Sequence, residues 1–237
     1  GESSTAASSD VQLLTQKLFR RPAPFLWGAE QVPVLQFPLS IYCPGEITAP
    51  EYSSISSWLF GQQNYQQLII CQNDMMDIHF NCFLTNPQVV RIGNIIRGFT
   101  MNVVCDSPFA WKNSKTTTYH YGNYSTNTSI NFYNESANNF YTFPASLIIA
   151  SNIYGGTIQI QNDNDNNRLF AYTAVANELI TFNCDTQTIS STLMSYALPG
   201  FNLNWLRLVK GLNVLHFTGN IHYITIETGP IAVKVGG

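Results

Sequence analysis

The second half of the chain consists of short segments in which apolar and polar residues alternate, and no other feature constrains the fold as strongly. Turn-forming pairs such as Gly155-Gly156 and Pro199-Gly200 separate these segments. Eight of them lie at 146–150, 157–161, 168–172, 178–183, 188–190, 203–209, 213–218 and 223–228. Alternation with a period of two is typical of half-buried strands, and regular turns between short strands predict an antiparallel sandwich.

Residues 201–219 carry the most detailed pattern of this half and read FNLNWLRLVKGLNVLHFTG. If 203–209 is one strand, Trp205 shares a face with the other odd-numbered residues and Leu206 points to the opposite face. Residues 210–213 then form a turn, and the chain returns as a partner strand. The segment therefore predicts a hairpin at the edge of a sheet.

The first half predicts shorter strands between breaks. Prolines at 22, 24, 33 and 38 favour extended pieces over helices, and the small polar residues 1–10 predict a flexible arm. Strands are predicted at 11–19, 34–41, 67–71, 76–84, 89–92 and 99–104, with breaks at 73–74, 86–87 and 93–94.

One helix is predicted, at 50–60. Thr48 precedes it as a possible cap, and a proline and a glutamate follow in the first turn. Ile55, Trp58 and Leu59 recur at helical spacing, which predicts an apolar stripe packed into a core.

The composition changes again between 112 and 142, where aliphatic residues become rare and Asn, Ser, Thr and Tyr dominate. A long linker, an exposed hairpin and a polar sheet face all fit this segment. We place the boundary between two domains here, giving 1–112 and 113–237.

Charged residues are scarce, and this limits the classes of partner. They make up 11% of the chain, against about 25% in an average protein. Few charges beside abundant neutral polar residues suit a subunit that assembles with others. A formal net charge of -3 without a basic stripe argues against nucleic-acid binding.

No motif for catalysis, metal binding or cofactor binding occurs. The five cysteines include no CxxC pair and are expected to be buried, reduced thiols, as in a cytosolic protein. The run 163–167 begins like a calcium loop, but Arg168 and Ala174 stand where glycine and glutamate are needed. No GxSxG or HExxH sequence is present, no apolar run is long enough to span a membrane, and 1–10 lacks the order of a signal peptide.

Three stretches resemble the distal tail (Dit) proteins of siphophages. Residues 105–111 read CDSPFAW, the helix ends in WLFG at 58–61, and 204–219 is similar to the N/G-x-W/F-L-x-L-x-x-G-x-N segment of that family. The resemblance also includes 155–162 and extends from about Val11 to Glu227. The chain departs from the family in its shortened start, which omits a usual first strand, and in its polar segment 113–142.

The resemblance implies a mainly β protein with an N-terminal split-barrel-like domain, which carries one short helix, and a C-terminal galectin-like sandwich. Copies would form a ring, usually a hexamer, at the virion tail tip after synthesis in the bacterial cytoplasm. The implied partners are the chain itself, the tail tube protein, the tail-tip hub protein and a receptor-binding or side-fibre protein, with no nucleic acid or membrane. Interface or core roles are predicted for Trp58, Phe60, Trp111 and Trp205.

Two other functions remain open from the residues. A carbohydrate-binding module for host-surface adhesion would use exposed aromatic and amide groups, such as Asn202, Asn204 and Trp205. A tryptophan in an alternating strand is, however, typical of a core. A cell-wall hydrolase would need two acids brought together by the fold.

Overall fold

The computed structural model describes residues 11–16, 25–31, 34–73, 75–138, 140–194 and 197–235. The chain divides into two compact units, one formed by Gly1–Trp111 with Val233–Gly237 and the other by Lys112–Ala232. Both are built mainly from antiparallel strands, as predicted, and the described part includes one α-helix. No helix in these ranges has the length and apolar character needed to cross a membrane. The predicted flexible arm 1–10 lies outside the described residues.

The first unit contains seven strands and the helix. They are β1 Val11–Gln16, β2 Phe25–Gln31, β3 Gln36–Tyr42, α1 Ala49–Phe60, β4 Gln66–Leu68, β5 Ile78–Ile92, β6 Ile95–Cys105 and β7 Ala110–Lys112. β1 pairs with β2, while β7, β5, β6 and β3 follow one another in a larger sheet with β4 beside β5. The core of this unit includes Leu35, Phe37, Phe80, Val103 and, from the end of the chain, Val235.

The long β5–β6 hairpin corrects one sequence prediction. The break expected at 86–87 does not occur, because both residues lie inside β5. The pairing shifts there from Thr85↔Asn102 to Gln88↔Thr100, so Asn86 and Pro87 form a bulge. Asn86 adopts a positive φ of 51°, and a bulge tolerates a proline that has no N–H to donate. The turn predicted at 93–94 is confirmed as the hairpin loop.

Helix α1 is confirmed with nearly the predicted limits. The Thr48 backbone N–H and hydroxyl each donate a hydrogen bond of 2.8 Å to the Glu51 carboxylate, which fixes the first turn. At the other end the Gly61 N–H bonds to the Ser57 carbonyl at 3.0 Å. No residue of the helix is fully buried. The helix therefore lies on the surface of the first unit.

The second unit is a sandwich of two antiparallel sheets. Its elements are β8 Thr116–His120, β9 Thr126–Asn134, β10 Tyr141–Thr142, β11 Pro144–Ser151, β12 Gly156–Asn162, β13 Arg168–Ala174, β14 Leu179–Asn183, β15 Thr188–Ser191, a 3-10 turn Leu198–Gly200, β16 Leu208–Val209, β17 Gly211–Gly219 and β18 Ile221–Thr228. The chain then forms β19 Ile231–Val233, which lies next to β7 in the larger sheet described above. One sheet has the order β15-β14-β11-β18-β8 and the other β13-β12-β17-β9. Inward side chains of both sheets form a single hydrophobic core.

The polar segment 112–142 is part of this sandwich and not a linker. β8 ends one sheet beside β18, and β9 ends the other beside β17. Along β9 buried residues such as Phe132 alternate with exposed ones such as Tyr133. The polar composition therefore reflects edge strands with one solvated face.

Candidate functional site

The first unit carries large apolar side chains on its surface. Seven of its large hydrophobic side chains are at least 39% exposed, namely Ile41, Tyr42, Trp58, Tyr65, Ile69, Met76 and Ile92. Two of them stand at the end of β3, which is an edge strand. Exposed apolar patches and free strand edges are typical of surfaces that another chain covers.

A groove beside α1 concentrates this apolar character. It has a volume of about 230 Å³. Its lining residues are Trp58, Leu59, Phe60, Gln62, Gln66, Gln67, Leu68, Cys82, Phe83 and Leu84, which we call the helix groove. None of them is charged. An apolar, neutral groove suits a protein side chain better than a polar metabolite.

Local contacts shape the helix groove. The Gln62 side-chain amide donates to the Trp58 carbonyl at 2.9 Å and holds the chain against the last helical turn. β4 pairs with β5, and the ring of Tyr65 packs on Phe83 with centroids 4.8 Å apart. The groove is therefore supported on both sides by ordered secondary structure.

Trp58 does not have the predicted place in the core of a single chain. Its side chain is 69% exposed. The stripe that packs inward consists of Tyr52, Ile55 and Leu59, with the Tyr52 ring stacked on Phe99 at 5.6 Å. Phe60 also packs partly against this cluster. Trp58 stands beside the stripe, because the i, i+3 and i+7 positions counted from Tyr52 face the sheet. Its predicted interface role, and that of the half-buried Phe60, stay predictions.

Trp111 belongs to a structural turn after β6. The Asp106 carboxylate accepts bonds from the Trp111 indole N–H at 3.4 Å and from the Asn81 amide at 3.1 Å. The Ser107 hydroxyl, two residues before Phe109, accepts the Phe109 N–H and donates to the Phe109 carbonyl. These bonds turn the chain from β6 into β7.

The structure corrects the hairpin predicted within 201–219. The strand expected at 203–209 forms only at its end, as β16, and β16 pairs with β10 instead of β17. Leu203 has a positive φ of 63°, which interrupts the alternation, so Trp205 and Leu206 are both buried. β17 lies between β12 and β9 and is not an edge strand.

Two buried asparagines replace the missing strand pairing. The Asn213 amide donates to the Val209 and Gly211 carbonyls at 2.8 and 3.1 Å, and its oxygen accepts the Val209 N–H at 2.8 Å. Asn162 donates to the Asn213 oxygen at 2.9 Å and to the Arg207 carbonyl at 3.0 Å. The GxN spacing at 211–213 was the only sequence signal for this arrangement.

Trp205 lies in the core of the second unit and is 8% exposed. Its ring packs edge-on against Phe201 with centroids 4.8 Å apart. Phe182 contacts both rings, at 5.3 Å from Phe201 and 6.3 Å from Trp205. Trp205 is therefore not available as a stacking platform for a sugar.

The loop 163–167 is the turn of the β12–β13 hairpin, and four of its five residues are exposed. Asp165 is 5% exposed and accepts two bonds from Arg207, at 2.6 and 2.8 Å. These bonds raise the pKa of the guanidinium above its ordinary value. The Arg207 side chain also lies over the Tyr141 ring at 4.3 Å. Across the described ranges no group of three or more His, Cys, Asp and Glu side chains could hold a metal ion.

The cysteines are free thiols. Three of them are buried as expected, and burial raises the pKa of Cys82 to about 11 and those of Cys105 and Cys184 to about 12. The expectation is wrong for Cys71, which is exposed. Low thiolate content makes the buried three poor nucleophiles.

Comparison with known proteins agrees with this architecture. A family described as "Phage tail protein N-terminal domain" matches residues 1–107, and one described as "Phage tail C-terminal domain" matches residues 109–227. A search of curated proteins finds no match.

Two solved structures resemble the chain. The Dit protein of phage SPP1, described as a paradigm of the hub adsorption apparatus in phages infecting Gram-positive bacteria, matches with a TM-score of 0.64 and 11% identity over 93% of this chain and 88% of its own. A chain of the activated baseplate of phage p2 matches with a TM-score of 0.44 and 10% identity, over 94% and 89% of the two chains. At such identity a likeness shows the fold alone. The resemblance to siphophage distal tail proteins is thereby confirmed, and the chain belongs to a phage tail protein family and has the distal tail protein fold.

Proposed function

We propose that this phage tail protein is a structural subunit of the tail tip or baseplate, and that its first unit associates with copies of itself into a ring of six. The carrying observation is the helix groove, whose lining is largely apolar and includes no charged residue, together with the exposed large apolar side chains of that unit. In this role the ring connects the tail tube protein to the tail-tip hub protein.

The chemistry of the helix groove favours a protein partner. Its apolar residues surround glutamine amides and no ionised group. Burying exposed apolar surface of this kind contributes roughly 25 cal/mol per Å². A groove on one copy that receives a different patch from the next copy gives a head-to-tail contact, and such contacts form a ring when the rotation between copies closes.

The edge strand β3 supports the same proposal. Its end carries Ile41 and Tyr42 on the surface. An apolar edge strand exposed in a free subunit invites pairing with another chain. Closed cyclic association would cover the edge in every copy.

The second unit, in this proposal, supports a receptor-binding or side-fibre protein. Its sandwich has two outward faces, and surface loops on a rigid scaffold commonly carry binding residues. The protein is proposed to act without catalysis, cofactor, nucleic acid or membrane, in the tail tip of the virion.

Light scattering with negative-stain imaging tests the ring. We expect a particle six times the 26.5 kDa chain. Trp58→Asp should release monomers, because it places a charge in the helix groove. Tyr124→Asp is the matched control, since Tyr124 is an exposed aromatic of the second unit at 83%, and it should keep the ring.

Two results would count against the proposal. A wild-type chain that remains a monomer at every concentration, also with the tail tube protein added, would overturn self-association. Rings that persist in Trp58→Asp would show that the interface lies elsewhere.

A further inference from the structure

Two of the buried cysteines lie directly opposite each other in the first unit. Cys82 of β5 is paired with Cys105, the last residue of β6. Residues that stand opposite each other in an antiparallel pair project from the same face of the sheet. Cys82 is 3% exposed and Cys105 is fully buried, and both belong to the core of this unit. The two thiols are therefore neighbours inside one hydrophobic core.

The backbone hydrogen bonds around this pair bring the two residues close together. The Asp106 N–H donates to the Asn81 carbonyl at 2.9 Å, one residue beyond the pair. The Cys105 N–H points to the other side of β6 and donates to the Leu35 carbonyl at 2.9 Å. Cys82 and Cys105 therefore form a non-hydrogen-bonded pair, in which the Cα atoms are about 4.5 Å apart. Disulfides span Cα separations of about 4.4–6.8 Å, so joining the two sulfurs requires little backbone movement.

The ionisation of Cys105 reflects the nearness of the Cys82 thiol. Burial is the main cause that raises the pKa of Cys105 to about 12, and the Cys82 thiol adds to it. Burial raises the pKa of Cys82 less, to about 11. Cys82 also lines the helix groove, so a small reagent in the groove meets this sulfur first.

We propose that Cys82 and Cys105 form a disulfide when this phage tail protein meets oxidising conditions outside the host cell. Disulfides persist on virion surfaces and are rare in the cytosol. The bond closes the β5–β6 hairpin at its open end, opposite the turn at 93–94. Closing this loop removes conformational freedom from the unfolded chain and so stabilises the first unit.

The oxidant is a small neutral disulfide, and the reaction is thiol–disulfide exchange. The Cys82 thiolate attacks one sulfur of the oxidant, whose S–S bond breaks, and one half leaves as a thiol with the proton that Cys82 gave up. The Cys105 thiolate then attacks the Cys82 sulfur and expels the second half, which takes up the second proton. Two electrons thus pass from the cysteine pair to the oxidant. The raised pKa values make this exchange slow, so the reduced chain has time to fold.

The other cysteines have no such partner. Within the described part of the chain, Cys43, Cys71 and Cys184 each lie outside the strands. No strand pairing there places a second cysteine opposite any of them. The strand register therefore selects a single bond.

Oxidation of the folded Cys71→Ser chain with hydroxyethyl disulfide tests the proposal. Removing the exposed Cys71 thiol prevents cross-links between copies. The protein is incubated at about pH 9, where more thiolate is present, and the remaining thiols are then alkylated in denaturant. Peptide mapping without reduction should find Cys82 joined to Cys105, and the chain should be lighter by two hydrogen atoms.

Two variants separate this bond from general thiol oxidation. Cys105→Ala should leave Cys82 as a mixed disulfide with the reagent, because no second thiol is present to displace it. Cys184→Ala is the matched control, since Cys184 is a buried thiol of the second unit, and it should form the bond as the parent chain does.

The bond should also stabilise the first unit. Hydrogen exchange of peptides from 36–42, which hold no cysteine, reports the urea unfolding of this unit. The midpoint should rise by about 1–2 M on oxidation. Dithiothreitol should return both the mass and the midpoint to their reduced values.

Several results would overturn the proposal. They are alkylation of both thiols in every chain, a bond from either residue to another cysteine, and a mixed disulfide at Cys82 that Cys105 never displaces. An oxidised chain that unfolds at the same or a lower urea concentration would refute the stabilising role.

The proposal goes beyond the ring and does not depend on it. Trp58→Asp should change the particle mass and still form the bond between Cys82 and Cys105. Cys105→Ala should keep the particle mass and lack the bond, so failure of one proposal is distinguishable from failure of the other.

Discussion

Asn213 gives the most direct test of how the irregular segment before β17 is held. Its side chain is fully buried and serves the Val209 N–H, the carbonyls of Val209 and Gly211, and the amide of Asn162. In Asn213→Ala these four groups lose a partner, and each buried polar group left unpaired costs about 1–3 kcal/mol. Allowing for partial access of water, we expect a loss of about 4 kcal/mol in the free energy of unfolding of the second unit.

Aspartate at the same position should be worse than alanine. Its second oxygen would take the place of the Asn213 amide nitrogen and face two carbonyls at about the distances of the present bonds. Repulsion and the burial of a charge both add to the lost bonds. We therefore expect the order of stability to be wild type, then Asn213→Ala, then Asn213→Asp.

The loss in the free energy of unfolding is measured by urea titration. Hydrogen exchange of peptides from 211–219 is the readout, so that the midpoint refers to the second unit. With a slope of about 1.5 kcal/mol/M, 4 kcal/mol lowers the midpoint by roughly 2–3 M. Asn204→Ala is the matched control, because Asn204 is exposed in the same segment, and it should change the midpoint little. If Asn213→Ala changed the midpoint as little as the control does, side-chain amides would not be holding this segment in place of strand pairing.

Three further predictions follow from other contacts. Arg207→Ala should destabilise the second unit by about 2–3 kcal/mol in urea unfolding, because it leaves the buried Asp165 carboxylate without its cation; a loss below about 0.5 kcal/mol would contradict this. In the dissociated monomer, Trp58→Ala should change the free energy of unfolding by less than about 1 kcal/mol, as for an exposed side chain, and a loss of about 3 kcal/mol would show that Trp58 is buried within the single chain. A thiol reagent at pH 8 should modify Cys71 rapidly and Cys184 only after unfolding, since burial raises the pKa of Cys184 to about 12; equal rates would refute this.

The raised thiol pKa values also predict how stability depends on pH. A thiol whose pKa is higher in the folded protein contributes stability that is complete below its unfolded pKa of about 8.5. That contribution is lost as the pH rises toward the folded values, which are about 11 for Cys82 and about 12 for Cys105. The urea midpoint should therefore fall between about pH 9 and pH 11, and a flat profile would contradict the burial of these thiols.

Much of the second unit was predictable because its strands follow strict alternation. The predicted segments 157–161 and 213–218 lie within β12 and β17, since one face of each is buried and the other solvated. The segment before β17 was not predictable in this way. Trp205 and Leu206 are both buried there, and no period-two pattern describes a chain held by side-chain amides.

The candidate surfaces were harder to predict than the strands. Helical spacing placed Trp58 beside Ile55 and Leu59, but spacing does not show which edge of a stripe meets the sheet. The hydrogen bond between Ser129 and His216 depends on pairing between distant strands, which brings the two residues together. Only strand order and register, which the sequence pattern does not specify, reveal such a cluster.

The return of the chain to its first unit has a consequence for synthesis. Val235 is buried among Leu35, Phe80 and Val103, although Lys112–Ala232 form another unit in between. A ribosome must therefore translate the whole sandwich before the first unit can complete its core. Products of premature termination within the sandwich would lack this residue. Such incomplete chains would therefore have an incomplete core in the first unit and would be incorporated less readily during virion assembly.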